Sequence, residues 1–266
     1  MRQGGAVRVL MSRNMDDSGV EARLPAILLS LLAGLVYVVV SWNAQWFFGI
    51  FGVPFWVTGE YLATDGYKFV LAFAALTLPV LLPVGAELSR GARSQLRPIV
   101  RGESARWLLW SALIAAITSA VLDLVGLWPW VWRWMPSFVD FTGQLYEQGS
   151  WSTFAGLLVV FGLLIPFAEE VVFRFGLLQA LRRWSGSDAV AIVGSSAVFA
   201  VVHFGPSFRF SASGLLHAIW LFLFAFIAGM ITLRRAGRIG VAVSLHAGRN
   251  LAEQIVLMGF IAASAR

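Results

Sequence analysis

Seven apolar stretches, at roughly 26–42, 68–88, 107–127, 153–176, 189–205, 214–233 and 239–261, dominate the chain. Each is near the roughly 20 residues that a helix needs to cross a hydrocarbon core. In such a core every backbone N–H and C=O has to be satisfied within its own segment, so runs of this length have the helix as their one spanning form. The expected fold class is all-α: a polytopic membrane bundle of about seven transmembrane helices, with interfacial aromatic segments. Composition agrees. With 59% hydrophobic and 13% charged residues, and a mean hydropathy of +0.78, the chain is far from the soluble average.

The net charge of +6 is no sign of nucleic-acid binding, because the arginines lie in short patches between apolar stretches. Arg2, Arg8, Arg13 and Arg23 precede the first stretch; Arg90, Arg93, Arg97, Arg101 and Arg106 fill the second connection. Arg182 and Arg183 follow the fourth stretch, and Arg234, Arg235 and Arg238 the sixth. The alternate connections hold only Lys68, Arg133 and Arg209. Basic residues concentrate on the cytoplasmic side of membrane proteins. The expected location is a bacterial cytoplasmic membrane, with a cytoplasmic N-terminus and, for seven spans, an external C-terminus. Residues 1–24 read as a polar cytoplasmic leader rather than a cleaved signal peptide. Residues 25–266 read as a single membrane domain: 25–152 as N-terminal helices without an assigned role, 153–262 as the part that carries chemistry. Residues 45–57, aromatic and broken by Gly49, Gly52 and Pro54, read as interfacial or re-entrant. Trp128, Trp130, Trp132 and Trp134 read as an aromatic belt. Cysteine is absent, which removes disulfides, thiolate metal sites and a cysteine nucleophile together.

Ionisable groups at membrane depth mark function by default, because they are expensive there. Three apolar stretches carry them: Glu169 and Glu170 with Arg174, His203 one turn after Phe199, and His246 with Asn250. Glu170 lies 13 residues before Arg183 and His203 lies 15 after Asp188, so along antiparallel helices both sit roughly 20 Å from the turn between them. His246 and Asn250 lie 8 and 12 residues beyond Arg238, at roughly 12 and 18 Å. All three groups fit one layer.

Residues four apart on a helix are neighbours, so Glu170 can pair with Arg174, and His246 with Asn250. Glu169 points about 100° from Glu170 and keeps its carboxylate for water. Two carboxylates, two imidazoles and an amide can supply a general base, its partner and a donor to an oxyanion. Pro166, one turn upstream, withholds an N–H and is expected to kink the helix. Packing alone accounts for His217; Phe199 reads as a pocket wall, and Arg249 as snorkelling or pairing with Glu253. A lone histidine or a lone Glu–Arg pair is usually structural. The coincidence of an unpaired glutamate, two histidines and an asparagine in one layer is what packing does not require.

Glu169-Glu170-x-x-x-Arg174, Phe199-x-x-x-His203 and His246-x-x-x-Asn250, in that order on successive hydrophobic segments, resemble the CAAX prenyl endopeptidase and bacteriocin-processing (Abi, or CPBP) protease family over roughly residues 153–255. The resemblance implies an intramembrane endopeptidase whose site opens to the cytoplasmic side. It implies that Glu169 and His203 activate the water while His246 and Asn250 stabilise the oxyanion. Glu169, Glu170, His203, His246 and Asn250 are then the candidate catalytic residues, with Arg174 as charge partner.

No cofactor is expected, since a single unpaired carboxylate cannot be both ligand and base. Zinc is the alternative, held by Glu169, His203 and His246. The expected partners are a membrane-embedded or lipidated peptide or protein substrate and the lipid bilayer, with no nucleic acid. A reading of a different class is a proton-coupled transporter or a catalytically silent scaffold that uses the same polar network.

Overall fold

The structure, a computed structural model, describes residues 24–53, 59–83, 155–203 except 157, 212–235 and 239–264, with scattered helical positions between 106 and 117. The polar leader, the arginines at 90–101, the tryptophans at 128–134, Arg133, Arg209 and Arg238 lie outside the described residues, and so do the side chains of His217 and Glu253.

Every regular element among the described residues is helical. Helix α1 (Leu24–Trp42) is followed by the short α2 (Ala44–Ile50), then α3 (Gly59–Thr77), which runs into a 3-10 turn at Leu78–Leu81. Helix α3 begins nine residues before the apolar stretch expected from 68, because Asp65 and Lys68, one turn apart, pair at 2.7 Å and carry the helix through a polar segment. In α2, Trp46 and Ile50 are outward while Phe48 is buried against Val53 and Ala72, the pattern of an element lying along a surface.

The next helical run changes pitch twice. A π segment (Val160–Leu164) leads into α4 (Ile165–Glu170), and a second π segment (Val171–Leu177) leads into α5 (Leu178–Ser185). Ile165 N–H bonds the Val160 carbonyl and Leu178 N–H the Phe173 carbonyl, each five residues back. Single π turns inside α-helices collect at functional sites. Gly186, at φ 66°, ends α5, and Ser187 caps α6 (Asp188–Val202) by accepting from Val190 N–H at 3.3 Å. The turn on which the depth comparison rests therefore lies at 186–187. Helices α7 (Ala212–Arg234) and α8 (Gly240–Ser264) complete the described elements.

One apolar core joins α1, the 3-10 turn, the second π segment, α6, α7 and α8 through residues such as Ile27, Val80, Val171, Phe199, Leu221 and Val243. Helix α1 lies very close to the second π segment. The Ser30 hydroxyl donates to the Val171 carbonyl at 3.1 Å and fills the place where a side chain on Gly176 would be. Gly34 sits directly against Val172, where a Cβ would collide with the valine methyls. Taken over the described residues, no helix is long and apolar enough to cross a membrane, so the seven spans and their topology stand as expectations of the sequence.

Candidate active site

Glu169 and Glu170 end α4, between the two π segments, and both are buried. Being adjacent on a helix, they face different neighbours. Glu170 Oε2 is 3.1 Å from Arg174 Nε, and both side chains are inaccessible. The contact is a close charge pair rather than an aligned hydrogen bond, since neither atom has a hydrogen-bond partner among the described residues. Arg174 also donates from Nη2 to the Ala225 carbonyl at 3.3 Å, and its guanidinium lies 4.8 Å from the centre of the Phe199 ring. The expected Glu170–Arg174 pair is present. It has a third member absent from the sequence reading, because His246 Nδ1 lies 2.9 Å from Glu170 Oε1.

Glu169 points to the two histidines instead. Its Oε1 is 3.7 Å from His203 Nε2, and its Oε2 is 3.6 Å from His246 Nε2. Hydrogen-bond bookkeeping orients both rings. A carboxylate and a carbonyl can only accept, so His246 Nδ1–H donates to Glu170, and His203 Nδ1–H donates to the Phe199 carbonyl at 2.7 Å. Both Nε2 atoms are thereby left facing Glu169. Separations above 3.5 Å between polar atoms suit a shared water better than direct bonds. The two rings differ in access: the His203 side chain is 28% exposed and that of His246 only 4%.

Phe199 does more than wall a pocket. Fully buried, it stacks obliquely on His203 with centroids 4.3 Å apart, meets the edges of Phe173 at 5.0 Å and His246 at 6.0 Å, and carries Arg174 on its face. Phe224, which no sequence motif marks, packs edge-on against His246 at 4.9 Å and lies 5.1 Å beneath the Arg249 guanidinium. Arg249 also stacks at 5.9 Å on Trp220, so the contacts it makes among the described residues include two cation–π contacts that its spacing does not indicate.

Asn250 reaches a partner that its spacing from His246 does not indicate. Its Nδ2 donates to the Phe161 carbonyl at 3.0 Å. The local cause is backbone register: in the first π segment the ladder donor for Phe161 would be residue 166, a proline without an N–H. Pro166 and Asn250, 84 positions apart, are thus parts of one arrangement. One of the two amide N–H groups is committed there, and the other has no partner among the described residues.

The site therefore unites Glu169, Glu170, Arg174, Phe199, His203 and His246, with Asn250 tied to the helix that bears the glutamates. Tyr37 of α1, absent from the sequence reading, packs against the same core within electrostatic reach of Glu169. The donor set of two imidazoles and a carboxylate is one that zinc uses. Among the described residues, however, no group of three or more such side chains is placed to hold a metal ion.

Residues 151–252 match the Rce1-like family, described as type II CAAX prenyl endopeptidase Rce1-like. The match agrees with the CAAX-protease resemblance of the three motifs, and the matched segment contains every residue of the site except Tyr37. No curated protein and no solved structure matches the chain.

Proposed function

We propose that the protein is an intramembrane endopeptidase that hydrolyses a peptide bond of a membrane-associated peptide or protein. The observation that carries the reading is the buried Glu169 carboxylate, flanked by the Nε2 atoms of His203 and His246, within an Rce1-like segment. A water held among these three atoms has a base on one side and an imidazole acceptor on the other. As its oxygen bonds to the substrate carbonyl carbon, its proton passes to Glu169, with His203 orienting it, and the C=O π pair moves onto oxygen. His246, when its Nε2 carries a proton, and the remaining Asn250 N–H donate to that oxyanion. Collapse of the intermediate breaks the C–N bond, and the proton held by Glu169 goes to the departing amine. Glu170, fixed by Arg174 and His246, holds the second imidazole in place.

The outer surface supports a lipid setting. Leu28, Leu32, Leu35 and Val39 repeat at helical spacing along α1 and are each more than half exposed, an apolar stripe that water does not favour. The proposed location is a membrane, entered from the cytoplasmic side. The test uses purified protein in lipid vesicles with quenched fluorescent peptides, either free or bearing a lipid anchor. Cleavage of anchored peptides, lowered at least about 100-fold in Glu169→Gln, is the expected result. Absence of cleavage by the wild type, with Glu169-dependent proton flux across the vesicles, would replace the protease by a transporter.

A further inference from the structure

The N-terminal helices have no role in the reading above, yet α1 reaches the site. Ser30, Gly34 and Tyr37 follow one another at intervals of four and three residues and so share one face of α1. The first two members fix the register of that face. Ser30 lies against Val171 and Gly176, and Gly34 against Val172. The helices run in opposite directions. Seven residues separate Ser30 from Tyr37, and seven separate Gly176 from Glu169. Both intervals amount to roughly 10 Å of helix, which sets Tyr37 at the height of Glu169. Its partial burial against the core, within electrostatic reach of Glu169, agrees with that register.

Tyr37 is only partly buried, and its hydroxyl is not among the buried polar atoms left without a partner, so its O–H can turn to a ligand at the site. Among the described residues none bonds to the Tyr37 hydroxyl, whereas the other neutral donor of the site, the Asn250 amide, has one N–H committed to Phe161.

Building on the protease reading, we propose that Tyr37 is a catalytic residue: its hydroxyl, beside Glu169, donates a hydrogen bond to the substrate carbonyl oxygen as that oxygen becomes an oxyanion. Tyr37 keeps its proton throughout. The π pair moves onto the carbonyl oxygen while the water proton goes to Glu169, and the phenol O–H only shares its hydrogen with the new charge. The N-terminal helix thus completes an active site whose other parts lie in the Rce1-like segment.

Tyr37→Phe removes the hydroxyl and keeps the ring. Loss of one oxyanion donor lowers kcat by about 100- to 1000-fold, and KM should stay within about 3-fold. A peptide phosphinate, whose tetrahedral anion mimics the intermediate, should bind Tyr37→Phe more weakly by a similar factor, while an uncleaved substrate peptide binds Glu169→Gln with or without Tyr37→Phe equally well. Tyr67→Phe, at an exposed tyrosine of α3, is the control and should change neither. Should Tyr37→Phe fail to fold, 3-fluorotyrosine at position 37 supplies a stronger donor of nearly the same shape and should tighten the phosphinate. Unchanged kcat and phosphinate affinity in Tyr37→Phe, or no tightening with fluorotyrosine, overturns the proposal and leaves the protease reading standing. A wild type that neither cleaves peptides nor binds the phosphinate overturns both.

Discussion

Arg174→Met keeps most of the buried volume of the arginine and removes its charge, so it asks how far the fold depends on the inner ion pair. Arg174 and Glu170 are among the largest fully buried side chains. Removing one partner of such a pair costs about 3–5 kcal/mol, because the other charge is left in a medium that cannot solvate it. Two contacts adjust the figure. Glu170 keeps the 2.9 Å bond from His246 Nδ1, a charge-assisted contact of about 1.5–3 kcal/mol, which moves the loss toward the low end. The stacked guanidinium on Phe199 goes as well, and at a desolvated site it contributes about 1–2 kcal/mol. The expected loss is about 4 kcal/mol, a large part of the roughly 5–15 kcal/mol that holds a typical domain folded. Reversible denaturant unfolding in detergent, followed by tryptophan fluorescence, measures it. Glu170→Gln combined with Arg174→Met replaces the pair by neutral groups and should recover at least about half the loss, since a buried pair is often no more stabilising than its neutral replacement. A single variant within about 1 kcal/mol of wild type would show that the fold does not depend on the inner ion pair.

Asn250→Asp sets a carboxylate against the Phe161 carbonyl, so it should cost about 1–3 kcal/mol of stability as well as turnover; unchanged unfolding with lost turnover would show the Phe161 bond to be incidental. Gly176→Ala should lose about 1–3 kcal/mol by collision with the Ser30 hydroxyl, and Ser30→Gly in the same chain should restore most of it; failure of that rescue in the same unfolding assay would contradict the docking of α1. Incubation with a strong chelator, followed by metal analysis and the peptide assay, should leave activity intact. Stoichiometric zinc whose removal abolishes cleavage would assign Glu169, His203 and His246 to a metal instead.

Much of this site was legible in the sequence because helices convert spacing into direction. The interval from Glu170 to Arg174 gave their pairing, and the adjacency of Glu169 and Glu170 gave their divergence. The turn between Arg183 and Asp188 allowed depths on α4 and α6 to be compared before any contact was known. What spacing could not supply was tertiary partnership. His246 bonding to Glu170 and Asn250 bonding to Phe161 span 76 and 89 positions, and no periodicity encodes such pairs. Pro166 pointed to a disturbed ladder. That the disturbance takes the form of a π segment repaired from another helix depends on which side chain lies opposite. Tyr37 and Phe224 escaped notice for a plainer reason: an aromatic residue in an apolar stretch looks like core until something polar is found beside it.

In the proposed mechanism Glu169 accepts the proton of the attacking water. Single-turnover cleavage of an anchored peptide by Glu169→Gln and Glu169→Asp, beside wild-type protein of equal folded content, isolates that step. A neutral amide cannot accept that proton, so Glu169→Gln should fall by at least about 100-fold in rate while binding the peptide as tightly as wild type. Glu169→Asp keeps the base but draws it back by one methylene, and it should retain a measurable part of the rate. Cleavage by Glu169→Gln at a rate within a few-fold of wild type would contradict the account at its centre.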